Sequence, residues 1–136
     1  MRRLAVATDH AGALLKDELV PLVAALAPGW EARDLTQPTT PDDDYPDAAR
    51  LVAEAIATGE AERGLLLCGS GIGVAIAAGK FAGIGAACVH DVASAAEGVI
   101  CEGLNVLCLG GRVLTVVEAA PILAAFLAAE PAERTA

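Results

Sequence analysis

Short, almost continuously apolar runs alternate along this chain with longer stretches whose apolar residues recur at helical spacing. Arg3 to Thr8, Gly64 to Cys68, Ile84 to Val89 and Asn105 to Leu109 predict strands, and Trp30 to Leu35 predicts a weaker one. Between the first two strands, Leu14, Leu15, Leu19, Leu22, Val23 and Leu26 fall on one helical face from Gly12 onward, until Pro28-Gly29 stops the helix. Further helices are predicted from Pro46 to about Thr58, Val74 to about Gly79, Asp91 to about Ile100 and Leu114 to Ala129, with TQPTTPDDDYP as a loop before the first of them. Gly83 and Gly85 mark close approaches of backbone ahead of the fourth strand.

Strands with no polar face must be covered on both sides, and their alternation with helices makes the sheet parallel, joined by right-handed crossovers. In such sheets ligands gather beyond the carboxyl ends of the strands. Asp9-His10, Cys68-Gly69-Ser70, His90-Asp91 and Gly110-Gly111-Arg112 all follow strand ends. The pattern shows no internal repeat or linker, and 136 residues suffice for one domain with its own core.

Composition narrows the partners. The residues are 55% hydrophobic, so the chain folds, and a net charge of -9 gives nucleic acid or an anionic membrane no broad attraction. No stretch approaches the ~20 apolar residues of a spanning helix, and the apolar run after MRRLAVATDH's arginines is too short for a signal-peptide core. A cytosolic protein is expected. Its four cysteines include no C-x-x-C pair and no histidine at zinc-finger spacing, which argues against a metal site. Cys88 and Cys108 lie inside strands and read as small buried hydrophobes.

Cys68 has a different context. The segment Gly69-Ser70-Gly71-Ile72-Gly73 connects a strand to a helix, so it is either a tight turn or a cradle whose N–H groups converge on an anion. A thiol in front of such a loop serves as base or nucleophile if water reaches it and is inert if it is sealed. Asp9 caps a helix or binds a ligand beside His10, Arg112 clamps a phosphate or lies free on the surface, and Asp91 is well placed as an N-cap.

Five segments in register, A-x-x-x-D-H-A-G near the start, D-Y-P at Asp44 to Pro46, C-G-S-G-I-G from Cys68, A-A-G-K-F-A-G-I from Ala77 and N-V-L-C-L-G-G-R-V from Asn105, resemble the type B ribose-5-phosphate isomerases. That family also includes the galactose-6-phosphate isomerase subunits, and the similarity spans essentially the whole chain. The resemblance implies a Rossmann-like three-layer α/β/α sandwich with a five-stranded parallel sheet, a homodimer with shared active sites, and cofactor-free, metal-free aldose–ketose isomerisation through a cis-enediol. It implies that Cys68 moves the proton between C1 and C2, and that Ser70 and the amides of Gly69, Gly71, Ile72 and Gly73 hold the enediolate oxygen. Asp9 and His10 would then contact the sugar or its phosphate, and Arg112 the phosphate.

One segment departs from the family. Its members carry a stretch close to S-A-R-x-S-R-x-H-N before the N-V strand, with a histidine that opens the furanose ring and an asparagine that binds substrate. Here SAAEGVICEGLNV places Cys101 and Glu102 at those positions, and the arginines fall on Ala96-Glu97 and Gly98-Val99. Gly85 and Gly79 replace another arginine and an asparagine, and only Arg134 stands near the expected phosphate-binding tail. Three readings follow: an isomerase for a sugar phosphate that needs no ring opening, such as a tetrose 4-phosphate; a paralogue for a less charged polyol-type substrate; or a non-catalytic phosphosugar binder or one subunit of a heteromer. The retained Cys68 and cradle favour chemistry. The apolar C-terminal helix offers a surface for a second subunit.

Overall fold

The computed structural model describes residues 1–37 and 45–133. Asp44 and Arg134 lie outside the described residues, as does most of the predicted proline- and aspartate-rich loop. Five strands, β1 (Arg2–Thr8), β2 (Trp30–Asp34), β3 (Arg63–Cys68), β4 (Ala86–Cys88) and β5 (Val106–Gly110), form one sheet in the order β2-β1-β3-β5-β4, and every pairing is parallel. The helices are α1 (Ala13–Leu19), α2 (Val23–Leu26), α3 (Tyr45–Ala57), α4 (Ile72–Ala78), α5 (Val92–Glu102) and α6 (Val116–Ala128). Among the described residues no helix is long and apolar enough to cross a membrane.

The two faces of the sheet are chemically unlike. Leu4, Val6, Leu65, Leu67, Leu107 and Leu109 point toward α1, α2, α5 and α6, where Leu19, Leu123 and Phe126 complete a core of large side chains. Ala5, Ala7, Leu66, Cys68, Val106 and Cys108 point the other way, toward α3 and α4. Small side chains there let the helices approach closely. A side chain at Gly64 on β3 would run into Val52 of α3. The alternation along β3, odd positions into one core and even positions into the other, puts the thiol of Cys68 on the α4 side.

Several boundaries differ from the sequence expectation. The first helix is interrupted by a 3-10 turn at Val20–Leu22, where Pro21 removes an N–H and crowds the preceding turn. Leu14, in the first turn, is 76% exposed because Leu15 and Leu19 set the face of α1 that meets the sheet. Strand β4 is shorter than Ile84 to Val89, because Gly83 turns at φ 80° in open space and Gly85 lies against the carbonyl of Gly103. Only the second of these glycines is a close approach. Helix α6 starts after Thr115, whose hydroxyl accepts from the Glu118 amide while the Glu118 carboxylate accepts from the Thr115 amide.

Candidate active site

Three strand ends are sewn together by their own main chain. After β1, one carboxylate oxygen of Asp9 accepts from the amides of Ala11 (2.9 Å) and Gly12 (3.2 Å), closing a 3-10 turn over His10–Gly12. A side chain at Gly12 would collide with Thr8 Oγ1 and Leu67 Cβ, so the turn lies flat on the end of β3 and leaves His10 exposed. After β5, Gly111 N–H donates to the Cys68 carbonyl at 2.8 Å and Arg112 N–H to the Gly69 carbonyl at 3.0 Å. The Arg112 guanidinium crosses the Cα of Gly69, with Nη1 only 3.1 Å from where a Cβ would stand.

Cys68 lies at the end of β3 with 4% of its surface exposed, nearly but not wholly sealed, and its sulfur accepts from Gly71 N–H at 3.1 Å. Gly71 turns at φ 80°, in the left-handed region that favours glycine. Ser70 Oγ accepts from Ile72 N–H at 3.1 Å, and the Tyr45 ring lies 3.1–3.2 Å from a notional Cβ on Gly73. Two of the expected cradle amides are therefore directed at the thiol and the hydroxyl, the groups that would handle the proton and the oxygen. Two other thiols, Cys108 and Cys88, are held protonated by their surroundings. Burial pushes the Cys108 thiol far up, and burial, then the nearby Cys68, raises that of Cys88.

A fourth strand end reaches the same loop. The Cys88 thiol donates to the Ser70 carbonyl at 3.4 Å, and His90 Nε2 lies 3.4 Å from the same sulfur. The sequence reading missed this contact, treating Cys88 as filler and His90 as the neighbour of a cap. Its signal was the register: Cys88 pairs with Cys108, so both point to the face that holds Cys68. Tyr45, of the D-Y-P segment, is a further residue at this loop, its ring packed over Gly73. Asp91 is the expected cap, accepting from Ser94 N–H at 2.7 Å and Ser94 Oγ at 2.8 Å, which holds its carboxyl below the usual range.

The structure does not bring Cys101 and Glu102 to this place. Both lie exposed at the end of α5, and Glu102 lines a cavity of about 410 Å³ with Gly85, Ser94, Glu97 and Leu104, on the opposite side of the sheet edge from α4. Its walls include none of Cys68, Ser70 or Arg112. Among the described residues no group of three or more histidine, cysteine, aspartate or glutamate side chains is arranged to hold a metal ion.

A parallel α/β/α sandwich here sets a thiol, a hydroxyl and directed backbone amides at one strand end, with an imidazole and a guanidinium at its neighbours, groups able to move a proton beside a carbonyl. A model of the ribose/galactose isomerase family matches residues 4–136, and the chain belongs to that family. It is 38% identical over 130 residues to ribose-5-phosphate isomerase B of Escherichia coli, covering 96% of this chain and 86% of that protein. It is 37% identical over 131 residues to D-erythrulose-4-phosphate isomerase of Pectobacterium atrosepticum, covering 96% of this chain and 85% of that one. Among solved structures, the type B ribose 5-phosphate isomerase of Trypanosoma brucei superposes with a TM-score of 0.93 at 34% identity, over 98% of this chain and 90% of that one.

Proposed function

We propose that the protein interconverts an aldose phosphate and its ketose through an enediolate, and that its preferred substrate is an open-chain tetrose 4-phosphate. The observation that carries the chemistry is the Gly71 N–H aimed at the Cys68 sulfur at 3.1 Å beside the Ser70 hydroxyl. In this reading Cys68 as thiolate takes the proton from C2 of the aldose. The C2–H electron pair becomes the C1–C2 double bond, and the carbonyl oxygen becomes an oxyanion. The proton returns to C1 while Ser70 carries the hydroxyl proton between O2 and O1, leaving the ketose. The Gly71 and Ile72 amides act on the oxyanion only through Cys68 and Ser70, whereas a donor that meets it directly, the role left to the Gly69 and Gly73 amides, is worth roughly 3 kcal/mol of barrier, and a positioned base adds about 10²- to 10⁴-fold. His10 and Arg112, at the strand ends flanking Cys68, bind the phosphate, and Asp9 holds the turn that presents His10.

The tetrose preference rests on Cys101 and Glu102. A pentose 5-phosphate closes a furanose and needs an acid to open it. A tetrose 4-phosphate cannot close one, because its terminal oxygen is esterified, so a site without the family's histidine loses nothing on it. The Pectobacterium relative's name is that of a tetrose phosphate isomerase. We further propose a cytosolic homodimer; pairing with a second family member is the alternative.

Proton NMR in D₂O tests both parts. Deuterium at C2 and formation of ketose are expected with erythrose 4-phosphate, and at a rate at least tenfold lower with ribose 5-phosphate. Cys68→Ala is expected to abolish exchange, a loss of at least about 10³-fold, while still binding the sugar phosphate in calorimetry. Exchange that survives in Cys68→Ala removes the thiol from the mechanism; binding without any exchange in the wild type favours a non-catalytic binder.

A further inference from the structure

We infer that Cys88 and His90 tune the Cys68 base through the single peptide unit that joins Ser70 to Gly71. This rests on the reading of Cys68 as the base. The carbonyl and the N–H of that peptide are each engaged by sulfur: Cys88 donates to the Ser70 oxygen at 3.4 Å, and Gly71 N–H donates to Cys68 at 3.1 Å. Hydrogen bonds at the two ends of one amide strengthen each other, because a bond to the oxygen draws electron density from the nitrogen and makes N–H a better donor. A better donor favours the charged form of the sulfur that accepts it.

The proton inventory fixes the direction of the chain. Burial raises the Cys88 thiol above its ordinary value, so it keeps its proton and has one to give. That proton points at the Ser70 oxygen. The contact between His90 Nε2 and the Cys88 sulfur, also 3.4 Å, then requires the imidazole to donate, either as the Nε2–H tautomer or as the cation. The order is His90 to Cys88 to the Ser70–Gly71 peptide to Cys68. Packing holds the arrangement: a Cβ at Gly71 would stand 2.9 Å from the Cys88 sulfur and 2.8 Å from the Leu109 carbonyl carbon, so the loop is pressed against both. His90 and Cys88 are positioning residues, since neither touches the reacting carbons.

The experiment follows alkylation of Cys68 by iodoacetamide against pH, by peptide mass spectrometry, in the full chain. The ionisable groups around the Cys68 loop are the Cys88 and Cys108 thiols on β4 and β5, Arg112 against Gly69, Tyr45 of α3 over Gly73, His90 on Cys88, and Asp9 and His10 at the neighbouring end of β1; each variant changes Cys88 or His90 alone. Cys88→Val removes the donor at similar volume and is expected to lower the thiolate fraction at neutral pH about threefold to tenfold, read as a higher alkylation midpoint. It should lower kcat by a similar factor with KM little changed. Cys88→Ser, which keeps a donor, should lie within about twofold of the wild type, and His90→Ala, at an exposed position, should move the midpoint the same way by about twofold. If Cys88→Val does not fold, His90→Ala decides. An unmoved midpoint, or Cys88→Ser behaving as Cys88→Val does, overturns the inference even if the variants lose stability. Should Cys68→Ala still isomerise, the base reading fails while the midpoints still test the relay; should it lose activity while the midpoints stay put, only the relay fails.

Discussion

Gly71 carries more of the candidate site than its size suggests. Its φ of 80° puts its amide on Cys68, and the space where a side chain would go is filled by the Leu109 carbonyl carbon, the Gly110 nitrogen and the Cys88 sulfur, all within 2.9 Å. Gly83 has the same φ but nothing within 4 Å. The two glycines therefore separate conformational strain from collision. Gly83→Ala is expected to cost about 1 kcal/mol, and Gly71→Ala about 2 to 4 kcal/mol in urea titration with at least tenfold lower kcat. Equal costs would mean that the loop yields and that the contacts around Gly71 do not hold it. At this scale the sequence showed the thiol and its glycine loop, since both lie within one short segment. It hid Cys88, whose partner Ser70 is eighteen positions away and is reached only across the sheet, and with it His90, whose contact is the Cys88 sulfur.

The elements that present these residues are tied at a few points, and one is ionic. Lys16 of α1 is nearly buried, with Nζ 2.7 Å from Asp34 Oδ2 at the end of β2 and 2.7 Å from Asp17 Oδ1. Burial works against charge on both partners, but the Asp17 and Asp34 bonds still raise Lys16, and the bonds from Lys16 and Thr36 still hold Asp34 below its ordinary 3.8. A depressed carboxyl stabilises the fold above its unfolded value and loses that contribution as pH falls through the folded one. The tie should therefore be intact at pH 6, begin to weaken near the ordinary value of 3.8 and be lost only as pH falls through the lower folded value, with a contribution on the order of 1 kcal/mol after solvent screening. Asp34→Asn should be less stable than the wild type at pH 6 in urea titration, and the gap should narrow toward pH 3. A gap that is constant with pH would assign the loss to packing. Apolar periodicity had located each strand and helix in this layer, because burial on two faces leaves a plain signal. It blurred the ends, where Pro21 and the Thr115–Glu118 cap decide by local hydrogen bonding.

For the molecule as a whole, the same logic changes where a second subunit would sit. The C-terminal helix looked too apolar for one sheet face, yet Ile122, Leu123, Phe126 and Leu127 are all consumed by the monomer's own core, and of its large apolar residues Val117 stays well exposed. An uncovered apolar patch lies elsewhere: Tyr45 on α3, Ile72 and Ile76 on α4 and Phe81 just beyond α4 lie exposed, and three of them line a cavity of about 430 Å³ with Arg50 and Lys80. Composition gave no hint of this choice, because the apolar pattern of α4 serves both the sheet and the surface. The patch also borders the cradle, with Ile72 next to Gly71 and Tyr45 over Gly73. A dimer formed here would cover the mouth of the site and exclude water from the enediolate, coupling assembly to turnover. Sedimentation should then give twice the 13.6 kDa of the chain for the wild type. A buried charge placed on the patch by Ile76→Asp should give a monomer with the same circular dichroism and at least tenfold lower kcat, whereas Val117→Asp on α6 should remain a dimer. Monomers from Val117→Asp and dimers from Ile76→Asp would return the interface to the C-terminal helix and uncouple it from the cradle.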